Sequence, residues 1–348
     1  MHTYRRISSR RFAWQRLSPL VGLCTSLCFA LLTVPGQSQE PIETIKIDTN
    51  LISVPVIVSD RENRYVRDLK VEAFRLFDNQ VEQKIAFFDT GEEPLNVVLM
   101  LDTSLSTSGV LDDIKKAAKA FVKELRPQDR AMIVTFDWQM QKLSTLTSDR
   151  KELESAIKHA KVGKMAGTVL HDSLMDISSR VLQPIRGRKA IILLSDGDDH
   201  GSVVTPEELV RSESEADGMI YSIYYRPEAL RFLGPPGPPT FPFPRPFDSS
   251  APQRPRGPGG RRGGLRGLGY YGYDLMEKLS EVTGGRFYQG ETKNLKETFA
   301  LIAEELRHQY RLGFYPDELK RDGSVHALSV KVNLPDVSVR SRREYLAK

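Results

Sequence analysis

Apolar runs alternate with amphipathic segments along the central part of the chain. Four apolar runs predict buried strands, at residues 97–101, 130–136, 189–195 and 219–225. Apolar positions at helical spacing predict helices between and after them, at residues 110–125, 151–160, 169–182, 205 onward, 273–282 and 294–306. Alternation of this kind is typical of an α/β fold. We therefore predict a doubly wound, mostly parallel sheet for residues 95–311, with a short edge strand at 141–146.

The two flanks of this region have a different pattern, with short alternating runs separated by turn residues. The predicted strands are 51–58, 73–77 and 83–88 before it, and 309–314, 327–332 and 337–341 after it. Three strands alone are marginally stable, so each flank needs a partner. We predict that residues 44–94 and 312–348 pair with each other in a small β-sandwich.

The first 36 residues stand apart from the rest. Five arginines and no acidic residue precede or border an apolar run at 17–34, which ends in Val34-Pro35-Gly36. This is typical of a secretory signal peptide, and the alternative is an uncleaved membrane anchor. Both predict an exported protein that is periplasmic, on the cell surface or secreted. Both cysteines of the chain lie in this segment, so the remainder needs no disulfide.

Charge is unevenly distributed along the chain. The net charge of +5 disappears with the five arginines of residues 1–36, which leaves no general basic excess for nucleic-acid binding. A local excess remains at residues 226–272, which contain 11 of the 21 prolines and eight arginines against two acidic residues. Such a composition predicts a disordered insertion. It is either a tolerated surface insertion or a basic arm that screens a site or contacts an acidic partner.

Three oxygen-bearing residues at alternate positions follow the first apolar run. Asp102, Ser104 and Ser106 fall where that strand ends, and open α/β sheets bind ligands at the carboxyl ends of strands. A carboxylate and two hydroxyls suit Mg²⁺, Ca²⁺ or Mn²⁺. The alternative is a helix cap without a metal. Asp196 directly follows a second buried strand, and Thr168 begins an amphipathic segment between the two.

The Asp-x-Ser-x-Ser spacing of residues 102–106 resembles the metal-ion-dependent adhesion site of the von Willebrand factor A family. Thr168 and Asp196 follow in the family's order. The resemblance implies that Ser104, Ser106 and Thr168 contact an ion directly or through water, that Asp102 and Asp196 anchor it, and that a protein partner adds an Asp or Glu carboxylate. Mg²⁺ is the expected ion, with Ca²⁺ and Mn²⁺ as alternatives. Residues 44–348 more narrowly resemble a secreted acidobacterial group of this family, including Gly-Glu-Glu-Pro-Leu at 91–95 and Tyr-Arg-Leu-Gly-Phe-Tyr-Pro at 310–316.

Motifs for catalysis are absent from the sequence. There is no Gly-x-Ser-x-Gly, no Gly-Lys-Ser/Thr and no His-Glu-x-x-His, and the six histidines have no metal-ligand spacing. Residues 196–207 come close to an EF-hand loop, but a predicted strand precedes them instead of a helix. A hydrolase would depend on Asp102, Asp196 and His171 alone, so we expect no enzyme. The predicted function is metal-dependent binding of a protein partner, and the alternative is a structural or assembly scaffold of the cell envelope in which the metal only stabilises loops.

Overall fold

A computed structural model describes residues 51–225, 268–290, 294–316 and 323–347. These residues form one six-stranded sheet with flanking helices and two four-stranded antiparallel sheets. The strands are β1 Ile52–Asp60, β2 Phe74–Asp78, β3 Val81–Gln83, β4 Phe87–Asp89, β5 Leu95–Asp102, β6 Arg130–Phe136, β7 Met140–Lys142, β8 Arg188–Ser195, β9 Met219–Tyr225, β10 Phe287–Gly290, β11 Tyr310–Phe314, β12 Val325–Val332, β13 Val337–Ser341 and β14 Glu344–Leu346. The α-helices are α1 Leu111–Glu124, α2 Arg150–His159, α3 Leu170–Asp176, α4 Pro206–Glu215, α5 Leu268–Thr283 and α6 Leu295–Arg307. The predicted signal peptide and almost all of the predicted insertion lie outside the described residues.

The six-stranded sheet has the order β10-β9-β8-β5-β6-β7. All of its strand pairs are parallel except β6 with β7. Every residue of β5 is buried, as a strand in the middle of a sheet covered on both faces requires. The carboxyl ends of β5, β6, β8 and β9 therefore meet at one edge of the sheet, and the predicted doubly wound fold is confirmed.

Helices cover both faces of this sheet. On one face, α1, α2 and α6 contribute to a single hydrophobic core, in which the rings of Phe121 and Phe299 meet at 5.8 Å between centroids. On the other face, α3, α4 and α5 pack through residues such as Leu174, Leu209 and Leu279. The apolar stripes that predicted α1 and α6 are the buried faces of these helices.

The two antiparallel sheets form a β-sandwich, as predicted from the flanks. Their orders are β13-β1-β11-β4 and β14-β12-β2-β3, and they share one hydrophobic core. In the first sheet Val56 of β1 lies opposite Tyr310 of β11 on one side and Ser341 of β13 on the other. The chain segments before and after the six-stranded sheet thus pair with each other and form one β-sandwich.

Buried charged residues join the β-sandwich to the six-stranded sheet. Arg188, only 2 % exposed, donates to the carbonyl oxygens of Gly91 (2.8 Å) and Glu93 (3.2 Å) and to that of Leu306 at the end of α6. Glu305, fully buried in α6, accepts from Tyr221 of β9 at 2.8 Å and from Arg340 of β13. These contacts hold α6 against strands of both sheets.

Four local elements differ from the predictions. The single strand predicted at 83–88 is divided, because β3 pairs with β2 in one sheet and β4 pairs with β11 in the other. The single helix predicted at 169–182 is α3 followed by a π-helical segment, Ile177–Leu182. The edge strand is shorter than predicted and comprises β7 only, and β14 was not predicted.

Candidate metal centre

The loop that follows β5 brings two hydroxyls next to the buried Asp102. Asp102 ends the strand and is 0 % exposed. One of its carboxylate oxygens accepts from the backbone N–H of Ser104 at 2.8 Å. A short 3₁₀ turn, Leu105–Thr107, then places the hydroxyls of Ser104 and Ser106 at 3.0 Å from each other. Ser106 is exposed, so the cluster opens to the surface on that side.

The loop after β8 brings a second acidic residue to the same place. Asp196 is 3 % exposed and follows Ser195, whose hydroxyl donates to Asp102 at 2.6 Å. Burial, and next the negative charge of Asp196, raise the pKa of Asp102 to about 7 from an ordinary value of 3.8, although hydrogen bonds from Ser104 and Ser195 oppose this. Burial also raises the pKa of Asp196. Two carboxyl groups therefore share a site in which ionisation of both is unfavourable.

Thr168 lies on the neighbouring loop and is 4 % exposed. Its carbonyl oxygen accepts from the N–H of His200, beyond Asp196, at 3.0 Å. The next N–H, that of Val169, donates to the backbone carbonyl oxygen of Asp137 at 2.8 Å. Within the described residues, the Thr168 side chain forms no hydrogen bond with the other four predicted ligands. The structure thus brings Asp102, Ser104, Ser106 and Asp196 into one cluster and places Thr168 beside it through backbone contacts.

Sequence reasoning missed Tyr225, the last residue of β9. Tyr225 is 1 % exposed, and its hydroxyl lies close to Ser106 and to both carboxylates. Burial raises its pKa well above the ordinary value, and the charges of Asp102 and Asp196 raise it further. Its position at the carboxyl end of a strand beside β8 was the available signal, because polar groups at neighbouring strand ends meet at one edge.

Two glycines set the path of the Asp196 loop. Gly197 has a φ of +78°, and a Cβ atom on it would lie 2.6 Å from the carbonyl carbon of Gly272 in α5. Both conditions favour glycine, since a side chain here would be strained and would push α5 away. Residues 268–272 were predicted to belong to the disordered insertion, but they form the first part of α5, so this helix begins five residues earlier than predicted and contacts the Asp196 loop at Gly272.

The chemistry of these residues fits a hard divalent cation. No basic side chain of the described residues forms an ion pair with Asp102 or Asp196, so two buried acidic groups have no counter-charge within the described protein. The Tyr225 hydroxyl and one carboxylate oxygen of Asp198 are also buried there and have no hydrogen-bond partner in the described parts of the chain. Counting only His, Cys, Asp and Glu, the described residues contain no group of three that could hold a metal. The fit therefore depends on the serine and threonine hydroxyls.

The sequence offered two alternative sites, an EF-hand-like loop at residues 196–207 and a hydrolase site that includes His171. Side chains of both form local hydrogen bonds in the structure. Asp199 accepts from the hydroxyl of Ser202 at 2.6 Å and from the N–H of His171 at 3.0 Å, which together lower its pKa although burial acts in the opposite direction. The His171 ring is 2.9 Å from the Val204 carbonyl oxygen. The side chains of Asp199 and His171 thus stabilise the loop between β8 and α4. That loop follows a strand, unlike an EF-hand loop, which follows a helix.

Comparison with known proteins finds a related domain in the centre of the chain. Residues 97–198 match the sequence model of the von Willebrand factor type A domain. No curated protein sequence matches the chain. In the described residues, no helix has the length and apolar character needed to cross a membrane.

Solved structures with a similar fold include three from different sources. An aerotolerance-related membrane protein from Bacteroides fragilis is 17% identical, with a TM-score of 0.42 over 62% of this chain and 98% of that protein. The vWF domain of the type V pili tip protein Mfa5 from Porphyromonas gingivalis is 15% identical, with a TM-score of 0.41 over 61% and 94%. Proximal thread matrix protein 1 from the mussel byssus, with a zinc-occupied MIDAS motif, is 14% identical, with a TM-score of 0.44 over 66% and 49%. Residues 97–198, which include residues from β5, β6 and β8 and the five predicted ligands, are therefore similar in sequence to the von Willebrand factor type A domain.

Proposed function

We propose that this protein is an interaction module that binds a protein partner through a divalent ion held by Asp102, Ser104, Ser106, Thr168 and Asp196. The observation that carries the proposal is the buried pair Asp102 and Asp196, which has no basic partner in the described chain and lies beside the exposed Ser106. Two buried carboxylates without a counter-charge are unfavourable, and a bound cation removes that penalty.

The ligand set explains why a partner would be attracted. Hydroxyls of Ser104, Ser106 and Thr168 supply oxygen atoms without formal charge, so only two carboxylates neutralise the ion. A divalent ion bound there would act as an electrophilic centre that accepts one more oxygen ligand. The chain's own residues hold the site and leave the Ser106 side open, where an Asp or Glu of the partner would bind. Mg²⁺ is the proposed ion, with Ca²⁺ and Mn²⁺ as alternatives.

The surface around the site supports a protein partner. Large apolar side chains are exposed on four loops at this edge of the sheet: Leu105 (49 %), Trp138 (44 %), Met165 (53 %) and Val203 (88 %). Exposed apolar side chains gathered at one edge of a fold are typical of interaction surfaces. Lys161 and Lys164, on the loop that leads to Thr168, are exposed and form no ion pair with a described residue. These features favour a partner segment with a carboxylate flanked by apolar side chains.

The proposed location follows from the first 36 residues. A basic start and an apolar run support export, and membrane attachment would require that this segment stays uncleaved as an anchor. Membership of the secreted acidobacterial group is part of the same proposal. The competing function, a cell-envelope scaffold, assigns the ion a purely structural role.

The test uses the chain without residues 1–36, in Mg²⁺ or Mn²⁺ against EDTA. Titration calorimetry and thermal melting compare the wild type with Ser104→Ala, which removes one hydroxyl and no charge. We expect the wild type to bind the ion with a rise in Tm, and Ser104→Ala to keep the wild-type Tm in EDTA and lose most of the ion-dependent rise. Absence of ion binding by the wild type would refute the proposal. A variant that melts earlier in EDTA as well would show damage to the fold, because no ion is present there to stabilise the loops. Partner binding that survives both EDTA and Ser104→Ala would favour the scaffold.

A further inference from the structure

Tyr225 ends β9 at the same edge of the sheet as the candidate metal centre. Residue 224 lies opposite Ser195 of β8, so Tyr225 is level with Asp196. Its ring belongs to the core beneath α1 and α6 and is 1 % exposed. The polar end of a buried aromatic side chain thus reaches the predicted ligands while its ring is fixed by packing.

The hydroxyl of Tyr225 is unusual because it is buried without a hydrogen-bond partner among the described residues. No neighbour meets hydrogen-bond geometry, but the Ser106 hydroxyl and the Asp196 backbone are near enough to act against the rise in its pKa, whereas the charges of Asp102 and Asp196 add to that rise. A buried hydroxyl without a partner typically costs about 1–3 kcal/mol, and buried tyrosine hydroxyls usually find a partner. Phenylalanine would fill the same space without this cost, so packing alone does not explain a tyrosine here.

We propose that Tyr225 is a positioning residue of the metal centre, whose hydroxyl accepts a hydrogen bond from Ser106 and donates one to Asp196 when an ion is bound. This inference rests on the proposed function. A serine that binds a cation uses an oxygen lone pair, so its O–H must point to another acceptor. The tyrosine oxygen supplies that acceptor, and the tyrosine proton then has a carboxylate to donate to.

The proposal makes Tyr225 one of the groups that orient ion ligands. Loss of such outer groups typically lowers metal affinity by 10–100-fold. Tyr225→Phe keeps the ring and removes only the hydroxyl. In EDTA the variant loses an unsatisfied buried group, so its Tm should equal or exceed that of the wild type. Opposite effects on metal affinity and on metal-free stability are the signature of a positioning role.

A matched control is Tyr288→Phe. Tyr288 of β10 also has a buried hydroxyl without a partner among the described residues, but it lies near Glu305, away from the predicted ligands. Both variants and the wild type, without residues 1–36, are titrated with Mg²⁺ and with Mn²⁺ by calorimetry and melted in EDTA. We expect at least a tenfold weaker affinity for Tyr225→Phe and wild-type affinity for Tyr288→Phe.

The possible outcomes distinguish failure of this inference from failure of the proposed function on which it rests. If the wild type binds the ion and Tyr225→Phe binds it equally well, the positioning role is refuted and the metal site stands. Equal losses in the two variants would also refute it, since they would indicate a general effect of removing buried hydroxyls. A fall in both affinity and metal-free Tm for Tyr225→Phe would show damage to the fold and overturn the proposal. If the wild type binds no ion, both proposals fail together.

Discussion

Replacement of Asp102 by asparagine should stabilise the metal-free protein. Asp102 is fully buried at the end of β5 and has a pKa of about 7, so at pH 8 the folded protein holds a buried charge without a counter-ion. Asparagine keeps the shape and the same two hydrogen-bond partners, because its oxygen can accept from the Ser104 N–H and its amide can donate to the Ser195 hydroxyl, which reverses the bond that Ser195 donates to Asp102. The substitution therefore removes the charge and little else.

The magnitude follows from the pKa. A carboxyl whose pKa rises from 3.8 in the unfolded chain to about 7 in the folded protein reduces the free energy of unfolding at pH 8 by about 4 kcal/mol at most. In EDTA, Asp102→Asn should regain up to that amount. In Mg²⁺ at about 100 times its Kd, the wild type should gain about 2.7 kcal/mol and the variant almost none. The stability difference between the two proteins should therefore shrink or reverse when Mg²⁺ is added.

Urea unfolding at pH 8, with EDTA or Mg²⁺, measures both effects. Asp129→Asn is the control, since Asp129 is a buried aspartate at the opposite end of the sheet. Its two carboxylate oxygens accept from the backbone N–H groups of Leu95 (2.9 Å) and Arg126 (2.8 Å). That variant should be less stable and should keep the full response to Mg²⁺. An Asp102→Asn protein that is less stable than wild type in EDTA, or that responds normally to Mg²⁺, would show the reasoning to be wrong.

Three further predictions concern other buried groups. Burial raises the pKa of Glu213 to about 8 from 4.5, so this group should lower wild-type stability as the pH rises between these values. Glu213→Gln should remove its share of the fall and gain up to about 4 kcal/mol at pH 8, and parallel pH profiles of the two proteins in urea unfolding would contradict this. Tyr345→Phe removes a 2.8 Å hydrogen bond to the buried Asp78 and should lower the free energy of unfolding by about 1–3 kcal/mol, whereas an unchanged urea midpoint would exclude a stabilising role. Gly285→Ala would place a Cβ atom against the backbone oxygen of Ile220 and should lower the Tm by several degrees or prevent folding, and a wild-type melting curve would count against the observed packing.

Local patterns were sufficient to predict the central fold. The apolar run of β5 reads as a doubly covered strand in the sequence and is fully buried in the structure. The start of α4 was also readable, because Thr205 and Glu208 form the reciprocal capping hydrogen bonds that their spacing predicts. These features depend on interactions within a few residues, or on burial that any sheet would impose.

Features that depend on residues far away in the sequence could not be predicted from local patterns. The alternation at 83–88 gives no sign that β3 and β4 join different sheets, because pairing with β2 or β11 is decided by strands far away in the sequence. The π-helical segment Ile177–Leu182 has an apolar spacing close to that of an α-helix, so periodicity alone does not separate them. Of the candidate site, the ligand types were evident from the sequence. The unsatisfied hydroxyl of Tyr225 was not, because it depends on where the side chains of the loops after β5 and β8 lie relative to the end of β9.

The insertion of the six-stranded sheet between β4 and β11 has a mechanical consequence. These two strands are hydrogen-bonded neighbours, so the chain leaves and rejoins the β-sandwich at adjacent points. Tension between residues 51 and 347 would be carried by the sandwich strands and would bypass the domain with the metal centre. A force applied to the loops around Asp102 would instead act on the two chain segments that join the domain to the β-sandwich, where Arg188 and Glu305 hold α6 in place. A pull on the loops around Asp102 would therefore reach the β-sandwich along the strands of the six-stranded sheet, whereas a pull between residues 51 and 347 would not load that sheet.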